Sequence, residues 1–306
     1  MQPESDHPDQ RPLLALGLRL AAAFVLVGLL ACVKLASDKG IHLAEIMFWR
    51  QLPTIPILFA WFALRGKLDI FKTRRTGSHL RRSGFGLVGM AMNFGAATLL
   101  PLAVATTLNY SSAIFAVLLS ALVLREPTGP WRWGAVAMGF AGVLLIAQPW
   151  GDELPLLGAA IALGAALMIA LISVQLRDLG RTEHPFTIVF YFSLFSVPVL
   201  GLAMPFVAKA HPPQDWLLLL ACGVIGVLGQ VLLTAALRYG TVANVIVMDY
   251  SGLIWATLFG WLVFANLPGA SFWFGAPLVV GAGLLIAWRE HTLGMARKAA
   301  LEPKPL

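Results

Sequence analysis

The chain has 306 residues, of which 58% are hydrophobic and only 12% are charged, and its mean hydropathy is +0.79. A soluble domain carries about 25% charged residues, so this composition excludes an ordinary soluble protein and indicates an integral membrane protein. The net charge of +7 does not indicate nucleic-acid binding, because the basic residues lie between apolar runs and not on one folded face. The two cysteines, Cys32 and Cys222, lie in different runs and imply no disulfide framework.

Ten apolar runs follow one another, each close to the roughly 20 residues that a transmembrane helix needs. They predict spans at 13–36, 43–64, 83–102, 104–124, 131–149, 154–176, 186–207, 216–237, 241–264 and 271–288. The runs lack the alternation of barrel strands, so the expected fold class is an all-α integral membrane protein with ten transmembrane helices. The stretch "LLAC" at 29–32 resembles a lipoprotein cleavage box, but the nine later spans favour an ordinary first helix.

The distribution of Lys and Arg predicts the orientation. With a cytoplasmic N-terminus, 17 of the 22 basic residues would lie on the inside, two would lie outside and three within spans. Such asymmetry follows the positive-inside rule, so residues 1–12 and 289–306 are expected to be cytoplasmic tails. The basic stretch 65–82 is then a cytoplasmic loop in contact with anionic lipid, with a regulatory site as the alternative. The chain ends, 1–10 and 292–306, are expected to be disordered.

The sequence contains an internal repeat, because "NYSSAIFAVLLSALVLREPTGPWRWGAVAMGFAGVLLIA" at 109–147 is similar to "DYSGLIWATLFGWLVFANLPGASFWFGAPLVVGAGLLIA" at 249–287. The alignment pairs Tyr110 with Tyr250, Ser111 with Ser251, Pro127 with Pro268, Gly134 with Gly275 and Gly142 with Gly283. The copies close two predicted units of five helices, 13–149 and 154–288. Because five is odd, the second unit enters the membrane inverted. Inverted repeats build secondary transporters with a substrate site near midplane, although a duplicated scaffold without transport is the alternative.

Three segments carry a family resemblance: "EIMFWRQLP" in the second span, "NYSSAIFAVLLSALVLREP" in the fourth and "DYSGLIWATLFGWLVFANLPG" in the ninth. On these, the chain resembles the bacterial ten-helix transporters of the drug/metabolite transporter superfamily that have two EamA-type domains. The resemblance implies an inner-membrane carrier of small metabolites such as amino acids, nucleosides or vitamins. It also implies that the third, fourth, eighth and ninth helices surround a central pathway. One departure is Leu267, which stands before Pro268 where Glu126 precedes Pro127 in the first unit.

Charged residues inside the spans each need a partner or a water-filled cavity. Arg50 lies about 7.5 Å deeper than Glu45 and about 140° around the same helix, so the two do not pair. Lys34 lies at a depth similar to that of Glu45, and a contact between them is a hypothesis, with snorkelling as the alternative. Arg50 is predicted to bind helix-end carbonyls or to line a cavity. These three residues are candidates for coupling or gating.

The strongest candidate site combines Asn109 and Tyr110 with Asp249 and Tyr250, which lie at mirrored depths in the repeat. Aromatic rings stack on planar substrates, while amides and hydroxyls orient them. Asp249 could carry a coupling proton or bind a cationic amine, or it could stay neutral and hydrogen-bonded. Weaker candidates for the cavity wall are Asn93, Gln230, Ser251 and Trp255.

The scattered histidines lack the spacing of metal ligands, and "GFGLVG" at 84–89 opens an apolar helix without a preceding strand. No cofactor, metal, enzymatic activity or nucleic-acid partner is therefore expected. The expected partners are a small-molecule substrate and membrane lipid, with monomer and homodimer both open. A proton gradient or exchange would drive transport. A scaffold or sensor without flux and an intramembrane lipid-modifying enzyme are the alternatives.

Overall fold

A computed structural model describes residues 12–122, 129–148, 155–239 and 246–301. These residues form twelve α-helices and two short 3₁₀ helices, and no strand occurs within the described ranges. The predicted all-α class is therefore confirmed for this part of the chain. Glu126 and Pro127, which belong to the first copy of the repeat, lie outside it.

The first half of the chain contains α1 Pro12–Asp38, α2 Leu43–Gln51, α3 Thr54–Ala63, α4 Thr76–Leu99, α5 Leu102–Asn109, α6 Ser112–Leu122 and α7 Pro130–Ala147. The second half contains α8 Leu156–Leu179, α9 Pro185–Val207, α10 Pro213–Tyr239, α11 Gly252–Phe264 and α12 Ala270–Leu301. The 3₁₀ helices are Leu68–Phe71 and Ile246–Ser251. Two histidines act as N-caps: Nδ1 of His42 accepts from the Ala44 N–H at 3.2 Å, and Nδ1 of His184 accepts from the Phe186 N–H at 3.2 Å.

Seven segments of the described chain are long and apolar enough to cross a membrane. A shorter apolar segment, Met248–Phe264, comprises most of the second 3₁₀ helix and all of α11. The predicted span 43–64 is divided into α2 and α3 at Leu52 and Pro53, because proline has no N–H to donate to the main-chain carbonyl four residues earlier. α4 begins well before the predicted span 83–102, and its first turns contain basic residues from the predicted loop. α12 continues to Leu301, so residues 292–301 are helical and the expectation that they are disordered is wrong.

The helices pack in long pairs: α1 against α10, α4 against α8, and α7 against α12. Small residues permit the close approach of α7 and α12. A Cβ at Gly142 would lie 2.7 Å from the Gly275 carbonyl oxygen, and a Cβ at Gly139 would overlap Ile114. At Gly134, near the start of α7, nothing lies within 4 Å of the Cβ position. The buried core consists largely of alanine, leucine and valine. Large apolar side chains also cover the outside of the bundle, including Leu202, Phe206 and Phe274, as expected for a protein surrounded by lipid.

Polar contacts join the two halves at both ends of the bundle. At the end where α1 finishes, Lys39 pairs with Asp215 at 2.5 Å. At the opposite end, where α4 begins, Arg75 pairs with Asp178 at 2.5 Å and Thr73 Oγ1 donates to Glu183 at 2.7 Å. We call these ends the α1 end and the α4 end.

Candidate functional site

The segment Leu102–Leu122, which corresponds to the predicted fourth span, is interrupted in the middle, because α5 ends at Asn109 and α6 begins at Ser112. At the interruption the Tyr110 N–H donates to the Thr107 carbonyl at 3.1 Å and the Ser111 N–H to the Leu108 carbonyl at 3.1 Å. These tight i→i+3 bonds replace the regular α-helical pattern for one turn. The turn presents the Asn109 and Tyr110 side chains together.

A second interruption lies at the matching position of the repeat. The 3₁₀ helix Ile246–Ser251 gives way to α11 at Gly252. Ser251 Oγ donates back to the Met248 carbonyl at 2.6 Å, which stabilises this turn. Tyr110 and Tyr250, which the repeat aligned, therefore both lie at the junction of two helical pieces.

The two interruptions meet in the interior. The Tyr110 hydroxyl donates to the main-chain carbonyl of Asp249 at 2.7 Å, and the Tyr110 and Tyr250 rings lie 4.8 Å apart at 59°. Gly252 allows this approach, since a Cβ there would lie 2.8 Å from the Tyr110 hydroxyl oxygen. The structure thus brings together three of the predicted site residues from two separate helices.

Arg19 on α1 makes a bidentate ion pair with Asp249, with both nitrogen–oxygen distances 2.5 Å. The side chains are 12% and 34% exposed, so the pair is largely removed from solvent. Bidentate guanidinium–carboxylate contacts are among the strongest hydrogen-bonded pairs. Asp249 is therefore paired with a basic residue, which was not among the possibilities considered from the sequence, and a cationic amine would have to displace Arg19 to bind it.

Arg19 was not among the predicted site residues, although a signal for it existed. It was one of three basic residues counted inside the spans, and Asp249 is an acidic residue inside the predicted ninth span. Pairing charges of opposite sign would have joined the two, because an unpaired charge at that depth is costly.

The remaining predicted wall residues lie on neighbouring helices. Asn109 Nδ2 donates to Asn93 Oδ1 at 2.5 Å, linking α5 to α4, while Asn109 Oδ1 is buried without a partner. The Trp255 ring packs edge-on against Phe24 of α1 at 5.1 Å. Gln230 is half-buried on α10. The Asn93–Asn109 pair thus adds to the site around Tyr110.

The predicted contact between Lys34 and Glu45 is wrong. Lys34 Nζ donates to the carbonyls that end α4, with distances of 3.1 Å to Ala97, 3.3 Å to Thr98 and 2.9 Å to Leu100. Helix-end carbonyls lack intrahelical partners, so the lysine satisfies them. Glu45 instead contacts Nε2 of His211 at 2.9 Å, in the connection between α9 and α10.

Among the described residues, no helix-end carbonyl accepts a hydrogen bond from Arg50, although such carbonyls were one of its two predicted environments. Its Nη1 donates to the neighbouring Gln51 Oε1, and its side chain packs against Gly226 of α10. Glu45 and Arg50 are both buried, with 1% and 6% of their surface exposed. The three candidate gating residues therefore lie at three separate places.

A cavity of about 250 Å³ lies beside the connection between α11 and α12, with Pro101, Ile146 and Phe272 in its wall, and it does not include the tyrosine pair. Among the described residues no three His, Cys, Asp or Glu side chains are grouped to hold a metal ion. We take the residues around the two helix interruptions as the candidate site because that is where polar groups converge. We call them the tyrosine site: Arg19, Asn93, Asn109, Tyr110, Asp249 and Tyr250.

Comparison with known proteins gives a consistent result. The model of the EamA-like transporter family matches residues 13–148 and again residues 156–288. The riboflavin transporter of Vibrio cholerae is 30% identical over 90% of this chain and 91% of its own length. The pseudopaline exporter of Pseudomonas aeruginosa is 31% identical over 90% of this chain and 97% of its own length.

A solved crystal structure matches the chain with a TM-score of 0.59 at 20% identity, covering 89% of this chain and 97% of the other. That match concerns the fold alone. The two matches of the family model together span most of the chain, and they confirm the resemblance noted from the sequence. The chain belongs to the EamA-like transporter family of the drug/metabolite transporter superfamily.

Proposed function

We propose that this chain is a secondary active transporter that moves a small organic metabolite across a bacterial inner membrane by alternating access. The observation that carries the proposal is the meeting of two interrupted helices at Tyr110 and Tyr250. Irregular main chain is tolerated at membrane depth only where protein buries it or where it lines a cavity. Interrupted helices that meet between two repeats form substrate sites in secondary transporters.

The proposed architecture is ten spans in two inverted five-helix repeats, residues 13–149 and 154–288. Matched contacts between the halves support it. α1 packs on α10 as α8 packs on α4, and α2 packs on α10 as α9 packs on α4. α2 and α9, the second helices of the two repeats, also share a histidine N-cap. Exchanging the two halves would exchange these contacts, which is the relation that alternating access requires.

The polar contacts at the two ends are the proposed gates. Lys39–Asp215 and Glu45–His211 hold the halves together at the α1 end. At the α4 end the contacts of Thr73 and Arg75 with α8 and the α8–α9 connection do the same. A carrier would break one set while the other remains. The distribution of Lys and Arg supports a cytoplasmic location for the α4 end and, with it, for both chain termini.

The substrate proposed for the tyrosine site is amino-acid-, nucleoside- or vitamin-like. The tyrosine rings suit a planar group, and the Arg19–Asp249 pair suits a ligand that carries both signs of charge. The named relatives transport riboflavin in one case and export pseudopaline in the other, so they favour no single metabolite. Glu45 with His211 and Asp249 with Arg19 are the groups proposed for proton coupling or exchange.

Counterflow in sealed liposomes tests the proposal. Liposomes that contain the purified protein would be loaded with unlabelled riboflavin, or with one member of an amino-acid and nucleoside panel. The same compound in labelled form would be supplied outside. We expect transient uptake of at least one compound, and we expect Asp249→Asn to reduce its rate. A scaffold, a sensor or a lipid-modifying enzyme would give no counterflow with any compound. A complete absence of flux across the panel, in protein that is folded by its thermal transition, would overturn the proposal.

A further inference from the structure

A second polar cluster lies where α2, α4, α9 and α10 meet, on other helices than the tyrosine pair. We call it the arginine cluster, and its core is Arg50, Gln51, Arg82 and Ser193. We include Ser83, which follows Arg82 on α4, and Ser196, which lies one turn after Ser193 on α9. Gln51, Ser193 and Ser196 are each at most 1% exposed. None of these residues belongs to the tyrosine site or to the proposed gates. The proposed roles of those sites in transport therefore leave the cluster unexplained.

Arg50 and Gln51 form one side of the cluster. Arg50 Nη1 and Ser193 Oγ both donate to Gln51 Oε1, the latter at 3.3 Å. The acceptor of Gln51 is therefore used, and its amide nitrogen remains as a donor. Gly226 of α10 closes this side, since a Cβ there would lie 3.2 Å from Arg50 Nε.

Arg82 forms the other side. Its guanidinium lies over the Phe192 ring, 4.2 Å from the centroid, next to Ser193 in the sequence. Gly86 makes room for it, since a Cβ there would lie 3.1 Å from Arg82 Nη1. Two like charges therefore converge on one turn of α9.

The cluster contains six buried polar atoms without a hydrogen-bond partner: Arg50 Nε, Gln51 Nε2, Arg82 Nε, Arg82 Nη1, Ser83 Oγ and Ser196 Oγ. Every one of them carries a hydrogen that it can donate. In the described ranges no carboxylate lies within 4 Å of either guanidinium. An unpaired charge is costly to bury, and a second charge of the same sign adds repulsion. An acceptor that carries negative charge would satisfy these donors and compensate the two positive charges at the same time.

We propose that the arginine cluster binds an oxyanion, the carboxylate or phosphate group of the transported metabolite. This inference rests on the proposed function and adds the substrate class to it: an organic acid or phosphorylated compound rather than a purely cationic amine. The two guanidiniums supply charge-assisted, directional donors that match a carboxylate or phosphate. The Gln51 amide and the two serine hydroxyls supply further donors that fix its orientation.

Direct binding to purified protein tests this without any transport. The probes are benzoate, inorganic phosphate and benzylamine, the last of which has an aromatic ring and a positive charge. We expect benzoate and phosphate to raise the thermal transition of the wild-type protein, and benzylamine to leave it unchanged. Arg82→Gln should weaken benzoate binding on the order of tenfold to a hundredfold, as for hydrogen bonds to a charged group.

The matched control is Arg81→Gln, which makes the same change at the adjacent, exposed residue of α4. It should bind benzoate as the wild-type protein does. In the absence of anion, Arg82→Gln should unfold at a temperature no lower than the wild-type protein, because the substitution removes an uncompensated charge. A purely structural Arg82 would instead lower that temperature. Equal benzoate affinity in both variants, or a marked loss of stability in Arg82→Gln alone, would overturn the proposal.

A lipid headgroup offers the same chemistry as a phosphorylated metabolite, and a second arm separates the two sources. Benzoate binding would be compared in nanodiscs of phosphatidylcholine alone and of phosphatidylcholine with phosphatidylglycerol. Unchanged affinity supports the metabolite, whereas competition by phosphatidylglycerol overturns that assignment. Binding without counterflow would contradict the transport proposal alone, and counterflow without Arg82-dependent binding would contradict only the oxyanion site.

Discussion

Asp249 connects the two halves of the protein through its side chain and its main chain at once, since its carboxylate binds Arg19 and its carbonyl binds Tyr110. Replacing it with asparagine preserves size but leaves the Arg19 guanidinium, 12% exposed, without its counter-charge. We expect Asp249→Asn to lower the free energy of unfolding by about 2 kcal/mol. Thermal unfolding in detergent measures this, and the exchanged double variant Arg19→Asp with Asp249→Arg should recover part of the loss.

The Asp69–Lys72 ion pair is the control for that prediction. It has the same 2.5 Å separation, but its side chains are 81% and 83% exposed. Asp69→Asn should leave the thermal transition where it is, because solvent screens exposed pairs. If Asp249→Asn changed the thermal transition as little as Asp69→Asn, the Arg19–Asp249 ion pair would not contribute to the stability of the fold.

At the scale of elements, the packing of α7 on α12 depends on two glycines, Gly142 and Gly275. A Cβ at either position would lie 2.7 Å from the carbonyl oxygen of the other. Backbone cannot move aside as a side chain can, so Gly142→Ala must push the helices apart. We expect it to cost about 1–3 kcal/mol of unfolding free energy.

Gly134→Ala on the same helix is the matched control, because nothing lies within 4 Å of its Cβ position. Alanine favours the helix over glycine, so Gly134→Ala should keep stability or raise it by up to about 1 kcal/mol. Chemical denaturation of the two variants side by side gives the comparison. Equal effects at both positions would show that the close approach of α7 and α12 does not matter.

The sequence predicted helical elements better than their interruptions. Pro53 is a local signal for the division of α2 from α3, although 43–64 was predicted as one span. Neither proline nor glycine marks the turn at Tyr110 and Ser111. That turn is stabilised by tertiary contacts, above all the Tyr110 hydrogen bond to Asp249, which no local pattern contains. The repeat nevertheless identified both tyrosines, because alignment of two copies carries information that a single segment lacks.

Partners of charged residues were harder to predict than their depth. Lys34 and Glu45 do lie towards the α1 end, as expected, yet they bind α4 carbonyls and His211 respectively. Depth follows from counting residues along one helix. The choice of partner depends on the rotation and packing of several helices, which the sequence of one helix does not determine.

At the scale of the whole molecule, the contacts at the α1 end and at the α4 end cannot open together in an alternating-access carrier. Covalent closure of either end alone should therefore stop the cycle. The test uses cysteine pairs at Lys39 with Asp215 and at Thr73 with Glu183, joined by a short bifunctional thiol reagent. The native Cys32 and Cys222 would first be replaced by serine. We expect each cross-link to abolish counterflow, and a reagent with a reducible linker should allow recovery.

A cysteine pair at Asp69 and Lys72 is the control, since both exposed positions belong to the first half, Asp69 in the 3₁₀ helix and Lys72 directly after it. Cross-linking there joins no two halves and should leave counterflow at the rate of the uncross-linked protein. The decisive comparison is between the two ends. A protein that still transports with either end covalently closed would not open that end during its cycle, and the polar contacts there would then be structural ties and not gates.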